Sequence, residues 1–279
     1  MDTDLHQEMV EFPGETGTIR AYISRPKPSS ETPLPAIVVI HEIFGLDEHT
    51  KDVANRFASQ GYVALAPNLY SGDPTLRSVF TPPNISETFA FMGTLERSKM
   101  RDSEYVQGEL AKQSEEKRES IGRMMKLMYG GIPKDKLTQD LVAAVAYLEK
   151  QDFVNHHKIG SVGFCFGGGM SINLACHAKL AACIIFYGEN PASIDLISNI
   201  AGPVLGIYGG EDQRINANLD QLVKAMAQYK KDFEMRIYPG ASHAFFNDTN
   251  KITYNPSAAK EAWDRVLRFF ARTLNDDSP

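Results

Sequence analysis

The stretch Gly163-Phe164-Cys165-Phe166-Gly167 constrains this chain more than any other. It follows an apolar run, Lys158-Ile159-Gly160-Ser161-Val162, that reads as a buried strand. After it come Gly168, Gly169 and Met170, then Ile172, Leu174 and Ala175 at helical spacing. A strand that turns into a helix this abruptly leaves room only for glycine two residues either side of the central position. The same turn sets the sulfur of Cys165 at a helix N-terminus, where the helix dipole favours negative charge. A free cysteine is commonly a small buried core residue. With these flanking glycines between a strand and a helix, Cys165 reads as a nucleophile.

The rest of the chain alternates strand and helix signals. Residues 8–12 and 18–24 flank Gly14-Glu15-Thr16-Gly17 and read as a hairpin. Pro26 to Pro35 reads as a surface loop, and Ala36-Ile37-Val38-Val39-Ile40 as a strand buried on both faces. A helix is expected over 47–60, a strand over 62–66 stopped by Pro67, and a helix over 136–150. Strand 158–164, helix 166–178, strands 181–187 and 203–208, helix 216–230, strand 233–238 and a helix over 256–274 follow. Strands separated by helices imply one α/β domain over residues 1–279, built on a mainly parallel sheet. Residues 71–135 break the rhythm, with helices expected over 84–100 and 101–129. Their apolar faces carry Met92, Met100, Met124, Met125 and Met128, and the charged run 114–119 reads as a solvated face. An insertion after the C-terminal end of a strand sits over the ligand crevice of such a sheet, so the segment is expected to be a cap. A dimerisation element is the competing reading.

Composition removes several function classes. The 279 residues carry a net charge of −6, which offers no footprint for nucleic acid or an anionic membrane. No apolar run approaches the length of a membrane span. The opening residues, Met1 to His6, lack the basic and apolar regions of a secretion signal, so a cytoplasmic protein is expected. The three cysteines, 165, 176 and 183, have no metal-site or disulfide spacing, and Cys176 and Cys183 read as core residues.

A nucleophilic cysteine needs a base, and the base needs an orienting acid. With a nucleophile elbow of this kind the chain order is nucleophile, acid, histidine. Only His177 and His243 follow Cys165. His177 falls well along the departing helix, whereas His243 sits in the turn-rich Pro239-Gly240-Ala241-Ser242-His243-Ala244-Phe245, just beyond a strand. For the acid, Tyr208-Gly209-Gly210-Glu211-Asp212 ends another strand and offers two carboxylates. His41-Glu42-Ile43-Phe44-Gly45 follows strand 36–40, where half of an oxyanion hole is supplied. There the Ile43 N–H would join that of Phe166. A carboxylate such as Glu42 beside a thiol opposes thiolate formation unless it is buried and takes the proton itself.

Four motifs in order resemble dienelactone hydrolase (carboxymethylenebutenolidase), of the α/β-hydrolase fold. They are His41-Glu42-Ile43-Phe44-Gly45-Leu46, Ala66-Pro67-Asn68-Leu69-Tyr70, Gly163-Phe164-Cys165-Phe166-Gly167-Gly168 and the His243 loop. The resemblance spans roughly 8–72 and 136–272, leaving the insertion outside it. It implies that Cys165, Asp212 and His243 form a triad and that Glu42 contacts the resting cysteine and deprotonates it when substrate binds. It implies ester or lactone hydrolysis through a thioester, a small-molecule substrate, and neither metal nor organic cofactor.

The chain departs from that family at two arginines that hold the substrate carboxylate. Gly72 stands at one position and Asn247 at the other. Arg77, Arg97 and Arg214 are the available substitutes. Phe245, Phe246 and the methionine-rich insertion suggest a more apolar pocket. The alternatives to dienelactone cleavage are therefore a carboxylesterase of neutral esters and a non-hydrolytic ligand-binding or thiol-sensing relative. A thiol sensor would be expected to use Cys176 or Cys183 as its resolving partner.

Overall fold

The structure, a computed structural model, describes residues 4–27, 32–100 and 102–275. The middle of the expected 26–35 loop and the first three residues lie outside the described ones. Eight strands form one sheet: β1 (Leu5–Pro13), β2 (Thr18–Pro26), β3 (Leu34–Ile40), β4 (Val63–Asn68), β5 (Val154–Phe164), β6 (Ala182–Phe186), β7 (Val204–Gly209) and β8 (Phe233–Tyr238). Their order is β1-β2-β4-β3-β5-β6-β7-β8. β2 pairs antiparallel with both β1 and β4, and every pairing from β4 to β8 is parallel. This is the α/β-hydrolase sheet that the sequence led us to expect.

Strand β3 sits near the centre because it can be buried on both sides. Ala36, Val38 and Ile40 enter one core and Ile37 and Val39 the other, in the two-residue period of a strand. The second core is covered by α1 (Glu48–Ser59) and α10 (Pro256–Phe270), through Val53, Phe57, Val266 and Phe270. The first is covered by α6 (Lys134–Glu149), α7 (Phe166–His177) and α9 (Leu219–Gln228), through Leu141, Met170 and Leu222. Each large apolar side chain buried this way stabilises the fold by about 1.5–3 kcal/mol.

Three expectations need correction. β4 passes through Pro67 because the last β3–β4 pair is Val38 with Leu65. Beyond that pair, the missing N–H of Pro67 breaks no central ladder. The expected helix 216–230 is α9 and starts later, at Leu219, with a separate short helix, α8 (Gln213–Asn216), ahead of it. The insertion contains four shorter helices in place of two: α2 (Pro74–Val79), α3 (Pro82–Thr94), α4 (Ser103–Ala111) and α5 (Glu115–Lys126). Asp73, Thr81 and Asp102 each accept backbone N–H groups at a new helix start, so capping side chains outvote the apolar periodicity there. Phe91, Leu95, Val106, Leu110, Ile121 and Met125 give the segment a small core of its own. The charged run 114–119 is exposed, as expected.

Candidate active site

Because β3, β5, β7 and β8 are parallel, the residues just past their ends share one edge of the sheet. Cys165 sits at the end of β5 with φ +55° and ψ −115°, a conformation an L-residue holds only under constraint. The constraint is visible: a Cβ on Gly163 would lie 1.9 Å from the Gly167 carbonyl oxygen, and one on Gly167 2.3 Å from that of Ile40. The Cys165 N–H is held by the Phe186 carbonyl at 3.0 Å. Helix α7 begins at the next residue, Phe166, whose N–H therefore has no carbonyl partner within the helix.

His243 lies in the loop after β8, and its Nδ1 is 2.5 Å from Asp212 Oδ2. Asp212 is buried, while Glu211 is exposed. Geometry thus separates two carboxylates that the sequence left side by side. Burial opposes charge on His243, but hydrogen bonding to Asp212 and the proximity of Cys165 outweigh it and push the imidazole up to about 10. His177 is exposed and bonds to the Asn173 carbonyl of its own helix, at 2.8 Å. Burial pushes the Cys176 thiol up to about 12 and that of Cys183 up to about 11, so neither is a ready resolving thiol.

The loop after β3 brings Glu42 and Ile43 to the same place. Glu42 is held above the usual carboxylate range, chiefly by burial. Its Oε2 accepts a hydrogen bond from Asn247 Nδ2 at 3.0 Å. The loop is braced from below by His41, which is fully buried. His41 Nδ1 donates to the Glu42 carbonyl at 2.6 Å, and Nε2 accepts the Leu69 N–H at 3.1 Å. Burial lowers the His41 imidazole to about 4, so it is neutral at pH 7. Tyr70 adds a second brace by donating its hydroxyl hydrogen to the Ile43 carbonyl at 2.7 Å.

Two residues escaped the sequence reading. The ring of Tyr187 lies 5.1 Å from that of His243, and its backbone is forced to φ +39°. Burial, with Glu42 and Cys165 nearby, holds its phenol well above the usual range. The available signal was an aromatic at the end of β6 followed by Gly188. Asn247 was read only as a missing arginine, whereas it is a tether of Glu42. Position 72 faces away from the crevice: a Cβ there would meet Thr16 Oγ1 at 2.4 Å and Ile19 Cδ1 at 2.9 Å. Of the substitute arginines, Arg214 pairs with Glu189 and Arg77 donates to the Ser71 carbonyl. The Arg97 side chain lies outside the described part of the structure. Groups of three or more metal-binding side chains are absent among the described residues. None of the described helices is long and apolar enough to cross a membrane.

A family model for the dienelactone hydrolase family matches residues 19–274. This chain belongs to the dienelactone hydrolase family. A Saccharolobus solfataricus protein named "Putative carboxymethylenebutenolidase" is 37% identical over 261 residues, covering 94% of this chain and 96% of its own. A protein of the same name from Methylorubrum extorquens is 32% identical over 276 residues, covering 94% of this chain and 79% of its own. The crystal structure of a "Putative Dienelactone Hydrolase" from Klebsiella pneumoniae superposes with a TM-score of 0.73 at 26% identity, over 96% of this chain and 99% of that one. The protein is a hydrolase of this family, and the insertion that stood outside the motif resemblance falls inside the matched range.

Proposed function

We propose that the protein hydrolyses small ester or lactone substrates with Cys165 as nucleophile, through a thioester acyl-enzyme. The observation that carries the reading is the 2.5 Å contact between His243 and Asp212, with Cys165 as the other group favouring the imidazolium. Glu42 takes the thiol proton, and the thiolate attacks the substrate carbonyl carbon. The oxyanion that forms is met by the N–H groups of Ile43 and Phe166. Collapse breaks the C–O bond, and the His243 imidazolium gives its proton to the leaving oxygen. Neutral His243 then takes a proton from water, whose oxygen attacks the thioester. The acid departs, thiolate and imidazolium are restored, and Glu42 returns its proton to the Cys165 sulfur. Asp212 keeps the imidazole in the tautomer and orientation that both transfers require.

The substrate side of the proposal is a neutral ester or lactone. Neither Gly72 nor Asn247 supplies a cation, and Asn247 is already engaged with Glu42 and Thr249. Residues 71–135 are proposed to cap the crevice. Support comes from Phe89 against Phe44 at 4.2 Å between centroids, and Phe80 against Tyr70 at 4.2 Å. Both contacts join the insertion to the segments that carry or brace Ile43. The test is p-nitrophenyl acetate hydrolysis by Cys165→Ala with its fold checked by circular dichroism. Loss of turnover by about a thousandfold or more is expected. Retention of a tenth of wild-type turnover by a folded variant overturns the assignment of Cys165.

A further inference from the structure

The sheet ends at β8, and the outer edge of that strand is open. Val204 donates its N–H to the Asp232 carbonyl at 2.9 Å, and Gly210 donates to the Tyr238 carbonyl at 2.8 Å. Backbone groups alternate sides along a strand, so those of the even-numbered residues face β7. The N–H and C=O of Phe233, Met235 and Ile237 therefore point out of the sheet. Among the described residues no strand, turn or side chain bonds to them. Natural edge strands are commonly blunted by proline or a bulge. β8 has neither: it reads Phe233-Glu234-Met235-Arg236-Ile237-Tyr238, and its register with β7 is unbroken. Met235 is 42% exposed and Ile237 39%, on the face where Phe233 packs against the first core.

We propose that β8 pairs antiparallel with β8 of a second copy of this chain, about a two-fold axis at Met235. The two eight-stranded sheets then join into one. The strand is its own complement about that residue. Met235 faces Met235, Phe233 faces the partner's Ile237, and Glu234 faces the partner's Arg236. Met235 with its copy, and Phe233 with Ile237, have the outward backbone groups and exchange both hydrogen bonds. Glu234 and Arg236 fall at the positions without backbone bonds, where facing Cα atoms are about 4.5 Å apart and side chains come closest. By symmetry this pair of opposite charges forms twice. Both side chains lie on one face of the strand: Arg236 sits over the Tyr238 ring, 5.6 Å from its centroid. Glu234 bonds to Arg272 and keeps 41% of its side chain exposed. The opposite edge of the sheet is no such complement. About its exposed Met9, β1 would set Glu8 against Val10 and Gln7 against Glu11. The β8 interface is built without residues 71–135, the other candidate for dimerisation.

The experiment is sedimentation equilibrium from about 1 to 100 μM on wild type, Glu234→Arg and Arg236→Glu, with folding checked by circular dichroism. Wild type should reach twice the mass of one chain. Each single variant sets like charges face to face at both pairs, and its Kd should rise by about tenfold or more. An equimolar mixture of the two variants sets an acidic edge against a basic one and restores both pairs. It should associate at least as tightly as wild type. Wild type that stays monomeric at about 100 μM overturns the proposal. A dimer that both single variants retain undiminished does the same, because the contact then lies elsewhere. A mixture that associates no better than either variant alone also overturns it, because loss without rescue is not charge pairing in this register.

Discussion

Acidification should weaken this fold through His41. The folded protein holds this imidazole at about 4 against an ordinary value of 6.5, because burial excludes the charged form. The folded state thus binds fewer protons than the unfolded chain between these values. Its stability is complete above pH 6.5 and falls as the pH drops through 4. At 1.36 kcal/mol per pH unit the loss is about 3 kcal/mol, a large part of the margin of an ordinary domain. The structural cause is specific: a proton on Nε2 would turn the acceptor of the Leu69 N–H into a second donor facing it. The assay is urea unfolding at pH 7 and pH 4, for wild type and His41→Gln, whose side-chain oxygen can still accept from Leu69. Taking the difference between the two proteins at each pH cancels every other titrating group. The advantage of wild type should shrink by about 3 kcal/mol from pH 7 to pH 4. A difference that stays constant to within about 0.5 kcal/mol would refute the reasoning, because it would mean that His41 titrates alike in both states.

Asp212→Asn should lower kcat by about a thousandfold or more, because the imidazole loses its orienting charge. Glu211→Gln, at an exposed position, should change kcat less than threefold, and the reverse ranking would reassign the acid. A neutral lactone should be turned over at least as well as a carboxylated dienelactone of similar size, read as kcat/KM at one pH. A hundredfold preference for the carboxylated compound would place a cation in the crevice, with Arg77 and Arg214 the first to replace by methionine.

The elbow was legible because its steric demand is local: five residues must turn within one strand–helix junction, and only glycine at 163 and 167 allows it. The parallel sheet was legible for a similar reason, since β3 carries its two-sided burial in an unbroken run of β-branched residues. The insertion was less so. Its helix boundaries are decided by Asp73, Thr81 and Asp102 as caps, and periodicity averaged over long windows passes over such single residues.

What the sequence determined by itself was the set of chemical groups and their order along the chain: Glu42, then Cys165, then a carboxylate at 211 or 212, then His243. Local steric and hydrogen-bonding rules act over a few residues, and those motifs are a few residues long. The tertiary structure alone decided which groups meet. It buried Asp212 against His243 and left Glu211 in solvent, made Asn247 the tether of Glu42 across 205 positions, and turned position 72 toward the hairpin. Each of these depends on which strand ends are neighbours in the sheet, and strand order follows from the packing of the whole core rather than from any one segment.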